Sequence, residues 1–275
     1  MKTSFFKFFI IFIYISTCNV YANTILSSEK YVSYKGGVIF FEISKNEYQS
    51  GYKLDEINLL VLHRNDKYYL LYGVPYQTKV GKNKITVSNN KSKRIFEFIV
   101  KEKKFDKQFI EIKKKYTAPS NDQLIRISKE KNTIGKYRDI WTSNKPDISF
   151  VRPANGVVTG VFGTRRFYNG VEGRYHNGYD IAGDETDYVL APSSGEVILV
   201  GNFFYNGKFV YINHGSGLKS IFLHLSKILV KKGDIVDKGQ VIGQIGSTGA
   251  STGPHLHWSV SLNQTYVNPE LFLSY

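Results

Sequence analysis

The chain has 275 residues, carries a formal net charge of +14 and contains one cysteine. At roughly 100 to 200 residues per domain it has room for two folded units, each able to bury a core. The charge suits an acidic partner such as nucleic acid, anionic lipid headgroups or a wall polymer, although the lysines are scattered enough to be a solvated surface.

Lys2 and Lys7 flank the start of an apolar run, residues 8–15, that is too short to span a bilayer. This predicts a secretory signal peptide over residues 1–22, with Val20 and Ala22 before the cut and Asn23 as the mature terminus. Removing Lys2 and Lys7 takes two charges from +14 and leaves +12. Cys18 falls inside the segment, so the mature chain has neither a disulfide nor a thiol nucleophile. Lipidation of Cys18 after Ile15-Ser16-Thr17 is the alternative, disfavoured by the bulk of Thr17. Export to the periplasm or envelope makes nucleic acid the least accessible partner and leaves association with anionic membrane or wall.

Residues 23–115 read as an all-β unit with strands over 38–43, 57–62, 68–74, 84–87, 94–100 and 109–112. Asn65-Asp66 and Asn89-Asn90 supply turn residues between strands. The spacing predicts an immunoglobulin-like β-sandwich for binding or regulation, with His63 an exposed strand-end histidine. Residues 116–147 form a helical linker: Ser120 and Gln123 make a capping box, and Leu124, Ile127, Ile134, Tyr137 and Trp141 recur near helical spacing. Gly135 weakens the second half, so the helix is expected to end there and the chain to run irregularly through Pro146 and Pro153.

From residue 148 to 275 glycine turns separate β-branched runs at 157–161, 189–190, 195–200, 209–213, 219–224, 241–245 and 257–260. An antiparallel β-domain follows, whose alternating side chains line a groove. The fold class is therefore mainly β.

Five of the six histidines lie beyond residue 170. His176 and Asp180 enclose Gly178, which argues for a loop entering a strand. His255 and His257, two apart after Pro254, project from one strand face while Leu256 points to the other. His224 sits among apolar residues. Hydrolytic zinc takes three ligands from histidine and carboxylate and leaves the fourth position to water. His176, Asp180 and His257 supply that set for one zinc ion. A base and an oxyanion donor are then required, roles open to His255 and His224, both of which would titrate near neutrality.

Phe162-Gly163-Thr164-Arg165, His176-x-Gly-x-Asp180, Asn213-His214-Gly215, Leu223-His224-Leu225-Ser226 and Thr252-Gly253-Pro254-His255-Leu256-His257 occur in this order. In that order the sequence resembles the lysostaphin/LytM family of peptidoglycan endopeptidases over about residues 149–273. The resemblance implies a C-terminal β-domain with an open zinc groove, His176, Asp180 and His257 as ligands, and His255 and His224 as catalytic assistants. It implies a hydrolase acting as a D,D-endopeptidase on peptidoglycan stem peptides. His214 matches a structural turn histidine and Arg165 a family arginine; Arg166 and Asn169 are either groove-lining or solvated. The β-rich front, linker and catalytic domain resemble Gram-negative members, which implies the periplasm, and the chain is expected to work as a monomer.

Two rivals stand beside this reading. A catalytically inactive module that activates a separate wall amidase would typically lack zinc ligands, and none is missing here. A lipoyl-type carrier is suggested by the glycine and valine spacing of residues 230–243, with Lys238 near a turn; it leaves the histidines unexplained. The front unit is also expected to limit access to the groove, so that a chain beginning near Ile148 would cut faster.

Overall fold

A computed structural model describes residues 31–89 and 92–274. The expected signal segment with Cys18 and the cut after Ala22, and Asn90 of the second turn, lie outside the described residues. Among those described, no helix is long and apolar enough to cross a membrane.

The front part is built by period-two alternation. In β1 (Val38–Ile43) every second residue is buried, which sends Ile39, Phe41 and Ile43 inward. The helix α1 (Lys45–Ser50) follows at once, because Ser44 accepts from Glu47 N while the Glu47 carboxylate accepts from Ser44 N. That S-x-x-E signature went unread in the sequence. β2 (Lys67–Gly73) pairs antiparallel with β1, and β3 (Gly81–Ser88) with β4 (Lys93–Val100). The two pairs belong to different sheets, and Phe41 stacks on Phe96 between them at 4.4 Å. Asn65 and Asp66, both with left-handed φ, close a two-residue hairpin between Arg64 and Lys67. The expected strand 57–62 is instead broken into Ile57–Asn58 and Val61–Arg64, which lie in separate sheets. The break falls at Leu59 and Leu60, whose side chains enter two different cores.

The last strand of the front part, β5 (Lys107–Ile110), leaves both of these sheets. Beyond it α2 (Asn121–Arg138) starts on the Ser120–Gln123 capping box and runs through Gly135. It buries none of its residues fully, yet Ile134 and Tyr137 cover an apolar patch of Ile198, Leu199, Phe209, Tyr211 and Ile221. That cover explains why the helix outlasts Gly135.

The C-terminal strands include β6 (Val157–Gly160), β7 (Arg165–Tyr168), β8 (Val171–Tyr175), β9 (Tyr179–Ala182), β10 (Gly195–Phe203), β11 (Gly207–Gly215), β12 (Leu218–Leu225) and β13 (His255–Leu262). An eight-stranded antiparallel sheet takes the order β6-β9-β13-β12-β11-β10, with Ile235–Val236 beyond β10 and Thr265–Val267 beside β13. The β7–β8 hairpin, unread in the sequence, turns on Asn169 and Gly170, both at positive φ. β5 adds to it as a parallel third strand, so a strand from the front part completes a sheet beside the C-terminal one. The main core packs Phe150, Phe222, Trp258, Val260 and Leu262, and it includes Leu60 and Leu71 from the front part. Lys238 is paired with Asp147 at 3.0 Å and donates to the Ser149 carbonyl.

Candidate metal centre

Strand register brings the first two site residues together. Asp180 on β9 lies directly opposite His257 on β13, so both side chains leave the same face of the sheet. His255 shares that face and is half-buried, while Leu256 and Trp258 enter the core. Gly178 is required by the same packing: a Cβ there would stand 2.6 Å from His257 Nε2 and 2.6 Å from the Trp258 carbonyl.

His176 is fixed from the loop before β7. Its N–H donates to the Thr164 carbonyl at 2.8 Å, and its carbonyl accepts from Gly163 N at 2.8 Å. Its ring Nδ1–H donates to the Val161 carbonyl at 2.9 Å, which leaves Nε2 without a proton. Nε2 lies 3.0 Å from Asp180 Oδ1 and 3.0 Å from His257 Nδ1, and those two atoms are 2.8 Å apart. All three residues are buried. His257 Nε2 meets Ser259 Oγ at 2.8 Å, a partner that can take its N–H and leave Nδ1 free.

Burial pushes the Asp180 carboxyl up, but the imidazoles of His176 and His257 outweigh it and hold the group well below the usual carboxylate range. Burial pushes His257 down to about 4, against the pull of Asp180. The centre therefore offers the Asp180 carboxylate and a neutral His257 ring at neutral pH, with His176 Nε2 beside them. With its Nδ1 on the Val161 carbonyl, His176 can turn Nε2 as an acceptor, together with Asp180 Oδ1 at 3.0 Å and His257 Nδ1, towards one cation. The donor set of two nitrogens and one oxygen fits zinc.

His224 reaches the centre through a local irregularity. Leu223 pairs with His257, so strict alternation would send His224 to the core face with Phe222. A bulge opposite Phe209 and a φ of 66° at His224 turn the ring outward instead. Its centroid stands 4.9 Å from His255 and 6.2 Å from His257. Its Nδ1–H donates to the Thr248 carbonyl at 2.8 Å, and that of His255 to the Gly253 carbonyl at 2.9 Å. Both Nε2 atoms are thereby acceptors. Burial, then the charge of His255, pushes His224 down to about 3, so it does not titrate near neutrality as expected.

His214 is buried on the far side of the sheet, with Nδ1 on the Ser194 carbonyl at 3.0 Å and Nε2 on Ser220 Oγ at 2.8 Å. Arg165 is exposed and pairs with Glu172 at 2.6 Å. Asn169 clasps the Ile112 backbone instead of lining the groove. Arg166 points inward and donates to Asp180 Oδ2, an arrangement the sequence left undecided. The signal was the Asn-Gly turn, which fixes the hairpin and with it which of the two arginines faces in.

Residues 174–269 match the model of peptidase family M23. Over 93 residues the chain is 45% identical to peptidoglycan DD-endopeptidase ShyA of Vibrio cholerae, covering 34% of this chain and 22% of that protein. Over 96 residues it is 40% identical to DD-carboxypeptidase/endopeptidase Mpg of Neisseria meningitidis, covering 35% and 22% respectively. The chain thus spans about a fifth of the length of the curated relatives it matches. A solved structure of a putative M23 peptidase from Pseudomonas aeruginosa extends the likeness beyond the site: 30% identity, a TM-score of 0.70, 87% of this chain and 93% of that one. On that near full-length match, the chain belongs to peptidase family M23.

Proposed function

We propose that the chain is a zinc-dependent peptidoglycan hydrolase that cuts peptide cross-links as a D,D-endopeptidase, with one zinc ion held by His176, Asp180 and His257. The observation that carries this reading is the convergence of three acceptor atoms, buried and fixed from outside, with two further histidine Nε2 acceptors beside them. The curated relatives' names, which print DD-endopeptidase activity, support the substrate class. Zinc, when bound, would act as a Lewis acid on the scissile carbonyl and on water. The chain's own residues supply the proton chemistry. His255 Nε2 accepts a proton from water as the oxygen attacks the carbonyl carbon, and the resulting imidazolium returns it to the leaving amine nitrogen as the C–N bond breaks. His224 stands beside His255 as the second catalytic histidine, with ring centres 4.9 Å apart. An inactive amidase activator gains no support, since every candidate ligand and assistant is present.

Export also belongs to this proposal, resting on Lys2, Lys7 and the apolar run that follows. N-terminal sequencing of protein recovered from the periplasm should begin at Asn23. The activity is tested by digesting purified muropeptides and identifying products by mass spectrometry, with zinc measured on the same preparations. His176→Ala should lose metal and activity together. His255→Ala should keep zinc and lose turnover by about a hundred- to ten-thousand-fold. A folded wild type that holds no zinc and leaves cross-links intact would overturn the reading.

A further inference from the structure

β5 lies parallel to β7 with Gln108 opposite Arg166 and Phe109 opposite Phe167. Alternation then divides the pair into two faces. Phe109 and Phe167 stack on the outer face at 4.9 Å, with Phe109 73% exposed. Gln108 and Arg166 face inward. The pairing is secured at both ends, by Arg165 N donating to the Asp106 carbonyl at 2.8 Å and by Asn169 bonding both backbone groups of Ile112.

The inward pair leads to the centre. Gln108 Oε1 accepts from Arg166 Nε at 2.9 Å, and Arg166 Nη2 donates to Asp180 Oδ2. The Arg166 and Asp180 side chains are 11% and 6% exposed, so water does not replace these contacts cheaply. Gly160 makes room for them: a Cβ there would lie 2.8 Å from Arg166 Nη2 and 2.8 Å from Asp180 Oδ2. A guanidinium is planar, and fixing it at Nε and Nη2 sets the orientation of its plane. With Oδ2 held by that plane, Asp180 presents a single oxygen, Oδ1, to His176 and His257.

From this geometry we infer that Gln108 is a positioning residue for the metal centre, acting through Arg166 on the Asp180 carboxylate. It lies 72 positions before Asp180, on a strand that precedes the linker helix. The inference rests on the zinc reading above and adds to it a residue from outside the matched family segment, which begins at residue 174.

Loss of an outer-shell partner typically weakens metal binding by about ten- to a hundredfold, and Gln108 stands one contact further out, so about tenfold is expected for Gln108→Leu. The test uses the full mature chain, stripped of metal and titrated with zinc against a chromophoric chelator, and separately loaded with cobalt(II) so that its visible spectrum reports ligand geometry. Gln108→Leu should bind zinc about tenfold more weakly and shift the cobalt bands, while metal-free Gln108→Leu unfolds thermally within a few degrees of wild type. Gln108→Glu keeps an acceptor for Arg166 Nε and should restore both readouts. Phe109→Ser, on the outer face of the same strand, should leave both unchanged. Wild-type affinity in Gln108→Leu overturns the inference, as does failure of Gln108→Glu to rescue or an equal loss in Phe109→Ser, which would mean that only the strand matters. A wild type that binds no zinc overturns the zinc reading instead, by a separate result.

Discussion

Gly178 shows how a residue with no chemistry of its own shapes the centre. The space it leaves is filled by the His257 ring, so the glycine of the His-x-Gly-x-Asp pattern is a packing requirement set by a strand nearly 80 positions later. His214 shows the opposite case, a histidine with full hydrogen bonding and no part in the chemistry. Burial pushes it down to about 4, so the folded state holds it neutral while the unfolded chain protonates it near 6.5. Between those values the unfolded state binds more protons, and stability falls as the pH drops from 6.5 towards 4. The full swing is on the order of 3 kcal/mol for this one group. Urea unfolding of metal-free protein at pH 7 and at pH 4.5 should show that loss. His214→Asn should start from lower stability but lose less across the same interval. Parallel slopes for the two proteins would show that His214 is not the titrating group.

At the scale of elements, legibility followed the strength of the local signal. The strand 38–43 matches β1, and the capping box at Ser120 starts α2 where expected, because both are written in local sequence. The histidine positions were legible for the same reason: two residues two apart on a strand share a face whatever the tertiary context. The orientation of His224 was not, since it depends on a bulge between β11 and β12 that no run of apolar residues announces. Nor was β5's departure to a new partner, which is decided by a pairing 58 positions away. α2 passing through Gly135 is a third such case. Local propensity argues for a stop, and the cover that Ile134 and Tyr137 give to the C-terminal sheet wins. A Cβ at position 135 would meet nothing within 4 Å. Gly135→Ala should therefore stabilise the protein by about 0.5–1 kcal/mol, as measured by the urea midpoint at unchanged slope. A destabilised variant would mean that the helix bends at Gly135 in solution.

For the whole molecule, residues on both sides of the boundary expected near residue 148 share one core. Leu60 and Leu71 lie in the same core as Trp258 and Leu262, and each fully buried leucine contributes about 1.5–3 kcal/mol, against a typical total of about 5–15 kcal/mol. Asn263 Nδ2 donates to the Leu71 carbonyl at 3.1 Å, and Asn268 N to the Gly36 carbonyl at 2.7 Å. Nearer the centre, Tyr76 stacks on Tyr175 at 3.8 Å, and Phe105 occupies the space beside Gly163, whose N–H holds the His176 carbonyl. The front part thus braces the loop that carries the first candidate ligand, and β5 supplies Gln108 besides. A chain beginning at Ile148 discards all of this. It should be less stable to urea than the full mature chain, bind zinc more weakly, and cut cross-linked muropeptides more slowly per folded molecule. The comparison needs zinc content, unfolding and product formation measured on both chains at equal concentration. A truncated chain that is equally stable, equally loaded with zinc and faster at cutting would support the expectation from sequence that the front part limits access to the groove. Slower cutting with weakened zinc would instead identify the front part as a scaffold for the metal centre.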